Sequence, residues 1–158
     1  MALRQIRLFD DEILRKNSRI VEVVDDRIRQ ILNDMADTMY HSQGGGLASP
    51  QVGILKRLVV IDMGQGLIKL VNPKIIKQEG TQEVIEGCLS IPNKLGKLKR
   101  PERVTVHALN ENGQEIVLTG TGDLAKCFCH EIDHLEGILF TDLVTEYIMQ
   151  EKYQKDLN

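Results

Sequence analysis

The residues of this chain best suited to chemistry are His130-Glu131-Ile132-Asp133-His134. Residues four apart lie on one face of a helix, one turn from each other, so both imidazoles can meet a single metal ion. Glu131 stands about 100° round the helix from His130. A carboxylate there can reach a water held by the ion without itself being a ligand. The chain has only four histidines, and two of them fall at this spacing. The chemistry implied is metal-assisted hydrolysis, with the ion acidifying a water and the carboxylate moving its proton.

A catalytic ion of this kind takes three protein ligands and keeps one position open. Cys127 shares the helix face of His130 and His134. Along the axis, however, Cys127 and His134 are about 10 Å apart, too far to converge on one ion. Cys127 is therefore expected in the wall of a substrate pocket or in the core. Cys129 points about 100° away from His130 and is expected to pack as a small buried residue. Two candidates for the third ligand remain, Cys88 in Glu86-Gly87-Cys88-Leu89-Ser90 and the downstream Glu136. Cys88 is favoured. A cysteine beside glycine at a strand end can present its sulfur across to a helix, whereas Glu136 follows His134 too closely to fold back easily.

These residues need a scaffold. Ile28, Ile31, Leu32, Met35 and Met39 recur at helical spacing between Asp25 and His41, with Asp25 and Asp26 suited to the N-terminus. This spacing predicts a core-facing helix. A shorter helix is expected at 10–16. After Gly44-Gly45-Gly46 the period changes, and 57–62 and 67–71 read as strands. Residues 74–78 and 83–85 are expected to form a hairpin with Gly80 near its turn. Strands at 103–109 and 115–118 are joined by the turn signal Asn110-Glu111-Asn112-Gly113. A turn at 120–123 leads into the motif-bearing helix, 124–135, with Gly137 just past its end. The polar tail, 146–158, reads as a weak helix. Helix, strands, then helix without alternation predicts an α+β domain. Antiparallel sheets would pack around the helix that carries the metal motif, with a further helix near the N-terminus.

The length of 158 residues suits one domain, 1–158. A net charge of −3 argues against a nucleic-acid partner held by phosphate neutralisation. No apolar run is long enough to span a bilayer, and the charged first residues lack the apolar stretch of a signal peptide. A cytoplasmic location is expected, with no membrane partner. The three cysteines are an odd number and do not suggest a disulfide framework.

Three segments together resemble the peptide deformylases: Gly44 to Gln51, Glu86 to Ser90, and His130 to His134, in that order and at matching spacing. The likeness extends over nearly the whole chain. It implies removal of the formyl group from the N-terminal formylmethionine of newly made polypeptides, with release of formate. It also implies that Cys88, His130 and His134 bind the metal, Fe²⁺, replaceable by Zn²⁺, Ni²⁺ or Co²⁺. Glu131 would be the general base and acid, and Gln51 and the backbone N–H of Leu89 would stabilise the oxyanion. Gly44, Gly45, Gly46, Glu86, Gly87 and Cys127 would line the peptide site, with the substrate added like a strand beside the glycines. Glu86 is also placed to pair with Arg100, and Asp133 to orient a ligand imidazole. The implied partners are N-formylmethionyl nascent peptides and the ribosome.

Four positions depart from the family pattern. Gly45 replaces a branched apolar residue, Ser49 an alanine, Cys129 a glutamine and Asn93 a glycine. None of them is a ligand, the base or an oxyanion donor, and the resemblance implies a wider, more mobile pocket wall at Gly45. Two rival readings follow. A zinc endopeptidase would share the histidine motif but take its third ligand downstream, against Cys88. A degenerate paralogue would bind metal or formyl-peptide with little turnover.

Overall fold

The computed structural model describes residues 2–149. Its main sheet is built around a short, wholly apolar strand, β2 (Leu58–Ile61). Successive side chains of a strand point to opposite faces. Leu58 and Val60 therefore face one way, and pack with Ile28, Ile31, Leu32, Met35 and Met39 of helix α1 (Asp26–His41). Val59 and Ile61 face the other way, and pack with Phe128, Ile132 and Leu135 of helix α2 (Asp123–Leu135). A strand covered on both faces reads as a continuous apolar run, which is why 58–61 shows no alternation.

Five strands make this sheet, in the order β1-β2-β3-β6-β7, all antiparallel. The outer ones are β1 (Gly46–Ala48) and β7 (Glu115–Thr121), with β3 (Ile68–Glu79) and β6 (Arg103–Leu109) between. A second sheet, β4-β5-β8, joins β4 (Gln82–Cys88), β5 (Ile91–Arg100) and β8 (Glu146–Ile148), also antiparallel. It covers a third apolar cluster, which includes Leu14, Val84, Leu98 and Phe140. The architecture is the α+β arrangement expected, with antiparallel sheets around the motif-bearing helix.

The start of α1 follows its sequence signal. The Asp25 carboxylate accepts the Ile28 N–H at 3.0 Å and so caps one of the helix's free donors. The turn at 110–113 joins β6 and β7, with Gly113 at φ +77°.

Several expectations need correction. Residues 67–71 and 74–78 are one strand, β3. Its register shifts at Asn72 (φ +52°), whose side chain bonds both the N–H and the carbonyl of Val21. The hairpin between 74–78 and 83–85 does not form. β3 pairs with β6, while β4 pairs with β5 in the other sheet. The expected helix at 10–16 is a single 3-10 turn, Glu12–Arg15. Of the expected tail helix, 146–148 is strand and 150–158 lies outside the described residues. β5 has no clear strand signal in the sequence because three lysines, an asparagine and a proline mask its alternation. From Gly96 on, every second residue is buried.

Candidate metal centre

Helix α2 lies between the two sheets and presents His130, Glu131 and His134, all buried. The two rings meet edge to face, with centroids 5.0 Å apart. Phe140, from the turn after α2, stacks on His130 at 6.1 Å. Cys88 ends β4, just before the two-residue turn Leu89-Ser90 into β5. Its Sγ lies 3.4 Å from Nε2 of His134. Two such ligands sharing a tetrahedral ion stand about 3.5 Å apart. The donor atoms of Cys88, His130 and His134 all lie within 4.8 Å of one another. Glu136, the alternative third ligand, is half exposed and pairs with Arg57 instead.

Period-two geometry puts Glu86 on the same side of β4 as Cys88. Its Oε1 lies 2.6 Å from Nδ1 of His130. Arg100 of β5 grips Glu86 with two donors, Nε to Oε2 at 2.7 Å and a terminal nitrogen to Oε1 at 3.0 Å. The other terminal nitrogen of Arg100 donates to Asp133 at 2.7 Å. The chain of contacts therefore runs Asp133–Arg100–Glu86–His130. Asp133 was expected to hold an imidazole and instead holds Arg100. Glu86, anticipated beside the peptide, spends its carboxylate on Arg100 and His130. With Nδ1 engaged, His130 turns Nε2 toward Cys88 and His134.

Burial pushes the Glu131 carboxyl up to about 7, the range of a group that both takes and returns protons near neutrality. The His130 imidazolium pulls against this rise. Glu131 Oε2 is 3.9 Å from His130 Nε2, while Oε1 is buried with no partner among the described residues. Burial holds His134 well below its usual value, so the ring stays neutral, as a ligand must. His130 is pushed the other way. Burial disfavours its charge, but Glu131, Cys88 and Glu86 outweigh that. An electron-rich pocket with a thiol, two imidazoles and a free carboxylate oxygen fits a divalent cation.

Gln51 comes from the 3-10 turn Ser49–Val52 and is fully buried. Its Oε1 accepts the Ala48 N–H at 2.9 Å, which fixes which end of the amide faces the centre. Its Nε2 donates to Ser90 Oγ at 3.0 Å and lies 3.5 Å from Cys88 Sγ. Ser90, which no sequence motif singles out, thus steadies the amide. A hydroxyl two residues after a candidate ligand was the only signal for it.

A cavity of about 530 Å³ opens over the centre, walled by the glycine segment on one side and by Gly87 and Leu89 on the other. β1 and β4 are the outer strands of their sheets and flank this opening. A Cβ on Gly46 would stand 2.6 Å from Glu131 Oε2 and 2.9 Å from Cys127 Sγ. Glycine is needed there for close approach. Cys127 lines the cavity as a neutral thiol, its pKa raised well above the usual value by burial. Cys129 is packed in the core, its thiol pushed up to about 11 by burial. The wall at Gly45 is not the open space expected. Met63 Sδ lies 2.6 Å from where a Cβ on Gly45 would stand. Asn93 adopts φ +67°, a conformation that glycine takes freely and asparagine tolerates. Ser49 donates its hydroxyl to the Lys56 carbonyl.

Comparison with known proteins gives one answer. The family described as polypeptide deformylase matches residues 3–148. A protein named peptide deformylase 2 from Clostridium acetobutylicum is 74% identical over 149 residues, covering 94% of this chain and 99% of its own length. A peptide deformylase from Acetivibrio thermocellus is 57% identical, covering 98% of this chain and 91% of its own. Among solved structures, the peptide deformylase of Thermotoga maritima superposes with a TM-score of 0.90 at 37% identity, over 92% of this chain and 99% of that one. The peptide deformylase of Synechococcus elongatus in complex with actinonin gives 0.87 at 40% identity, over 98% and 84%.

Proposed function

The chain belongs to the polypeptide deformylase family, metal-dependent hydrolases that remove N-formyl groups, and on that premise we propose how its residues divide the work. Cys88, His130 and His134 hold one divalent ion, and Glu131 moves the proton. The substrate is the N-terminal formylmethionine of newly made polypeptides. The observation that carries the proposal is the convergence of one thiol and two imidazoles within 4.8 Å, beside a buried carboxylate with a free oxygen.

A divalent ion in that cradle supplies a Lewis acid and lowers the pKa of a water to about 7. Glu131 accepts the proton of the attacking water as the new C–O bond forms at the formyl carbon. The Nε2 of Gln51 and the N–H of Leu89 donate to the formyl oxygen as negative charge grows on it. The C–N bond then breaks, Glu131 gives its proton to the amine nitrogen, and formate leaves. Glu86, clamped by Arg100, keeps His130 in the orientation and tautomer that a ligand needs. The peptide lies extended between the outer edges of β1 and β4, alongside Gly44, Gly45 and Gly46. It gains main-chain hydrogen bonds there, as in strand addition.

The family resemblance implies Fe²⁺ as the ion, and a Cys/His/His donor set would also accept Zn²⁺, Ni²⁺ or Co²⁺. The reading of one catalytic domain, 1–158, is supported within the described residues 2–149, where both sheets and α2 contribute to one site. No helix among the described residues is long and apolar enough to cross a membrane. Action on nascent chains assigns the enzyme to the cytoplasm and to the vicinity of the ribosome.

The test is formate release from formyl-Met-Ala-Ser by protein purified without air and loaded with Fe²⁺ or Ni²⁺. Glu131→Gln should keep its metal and lose at least about a hundredfold in rate. Cleavage of internal peptide bonds, or full activity in Glu131→Gln, would refute the assignment.

A further inference from the structure

We propose that Met63 determines substrate specificity in this cavity: its thioether, seated on the bare backbone of Gly45, forms the wall that meets the first side chain of the formyl-peptide. The proposal rests on the deformylase reading of the site.

None of Gly44, Gly45 and Gly46 has a positive φ, so left-handed backbone is not why glycine stands at 45. Over these three residues the positions that a Cβ would take fall against different neighbours. A Cβ on Gly44 would stand 2.7 Å from Leu89 Cδ1, and one on Gly46 would stand 2.6 Å from Glu131 Oε2. A Cβ on Gly45 would meet Met63 Sδ at 2.6 Å. The sulfur thus occupies the seat of a side chain that residue 45 lacks. The wall comes from the loop after β2 instead of from the glycine segment that leads into β1.

This placement is built, not incidental. The Asp62 N–H donates to the Gly45 carbonyl at 2.9 Å, which ties the loop to the glycine segment. The Asp62 carboxylate accepts the Tyr40 hydroxyl at 2.6 Å and the N–H groups of Gly64 at 2.9 Å and Gly66 at 3.3 Å. Gln65 Oε1 accepts the Met63 N–H at 3.2 Å. The loop is folded around Asp62 and anchored to the end of α1, and it delivers Met63 to the cavity. Met63 nevertheless stays 37% exposed, a large apolar side chain left at the rim with part of its surface uncovered.

The substrate side chain that meets it follows from register. Glu131 lies against residue 46, so the reacting amide belongs opposite that position. Residue 45 immediately precedes β1. A peptide added to the free edge of β1 projects one side chain onto the face that Met63 occupies, and cross-strand neighbours of this kind are in contact. The first side chain after the formyl group is the one within reach. An unbranched thioether is flexible and polarisable. The chemistry it favours is a straight apolar side chain, such as methionine or norleucine, in preference to a methyl group.

The test compares kcat/KM for formyl-Met-Ala-Ser and formyl-Ala-Ala-Ser in the metal-loaded enzyme. Met63→Ala should lower the Met-to-Ala ratio about tenfold, with the loss carried by KM of the methionine peptide. Adding Gly45→Val to Met63→Ala moves the wall from loop to strand and should recover most of the ratio. Should Met63→Ala fold poorly, Met63→Gln keeps the length but replaces the apolar surface, and should also lower the ratio. An active Met63→Ala or Met63→Gln enzyme with an unchanged ratio overturns the role of Met63 and leaves the deformylase reading standing. A wild-type enzyme that releases formate from neither peptide removes both.

Discussion

Oε1 of Glu86 lies 2.6 Å from Nδ1 of His130, although 44 residues separate them in the chain. The contact joins the second sheet to the helix that carries the histidines. Glu86 comes from β4, its clamp Arg100 from β5, and His130 from the helix packed between the sheets. Geometry of this kind sets which ring nitrogen is free for an ion.

Glu86→Gln removes the charge that orients His130 and strips Arg100 of its bidentate partner. Metal affinity should fall about 10- to 100-fold. Stability should fall by about 3–5 kcal/mol, as when one half of a buried pair is removed. A chelator-competition titration and a urea denaturation curve measure the two effects. Unchanged metal affinity would show that the carboxylate does not hold the ring.

The same residue makes stability depend on pH. Burial alone would raise the Glu86 carboxyl, but the Arg100 fork and the His130 imidazole outweigh it, lowering its pKa from the usual 4.5 to about 2. A group depressed on folding contributes stability that is fully present above its unfolded value. That contribution is lost as pH falls from 4.5 toward 2. Denaturation of the metal-free protein should therefore become easier across this window, and the slope should be shallower in Glu86→Gln. Parallel slopes for the two proteins would contradict this.

Gln51 is held at both ends, by the Ala48 N–H and by Ser90. Gln51→Ala should cut kcat about a hundred- to a thousandfold, the effect of removing one oxyanion donor. Ser90→Ala should cost less, since Ala48 still orients the amide. Both variants should keep one metal per chain, so metal analysis alongside kcat separates a lost donor from a damaged centre.

Removing the ion with a chelator should abolish formate release, and Fe²⁺, Ni²⁺, Co²⁺ or Zn²⁺ should restore it to differing extents. Because a thiol ligand beside Fe²⁺ is open to oxidation, activity of the iron form should decay in air while the nickel form persists. Equal decay of the two would count against Cys88 as a ligand of a redox-active ion.

Legibility divides along one line. The relation of His130, Glu131 and His134 is written in the chain because a helix has a fixed period, so residue types and spacing carry the geometry. The same holds for the core face of α1, from Ile28 to Met39, and for the hairpin at Asn110–Gly113, whose turn residues demand one conformation. β2 was legible as a strand, since four consecutive apolar residues need cover on both faces. β5 was not, because its lysines point to solvent and hide the buried alternate positions.

What the chain determined unaided, then, was the local half of the centre and the class of chemistry it supports. Only the tertiary structure decided which distant group completes each local one. It brought Cys88 and not Glu136 beside the two histidines, joined Glu86 instead of Asp133 to His130, and set Met63 against Gly45. It also sent β4 to a second sheet instead of pairing it with β3. The physical reason is that backbone periodicity acts over a few residues, whereas these partnerships depend on which strand edges pair and which faces pack. Alternation along a strand states that a face is buried but does not specify what covers it.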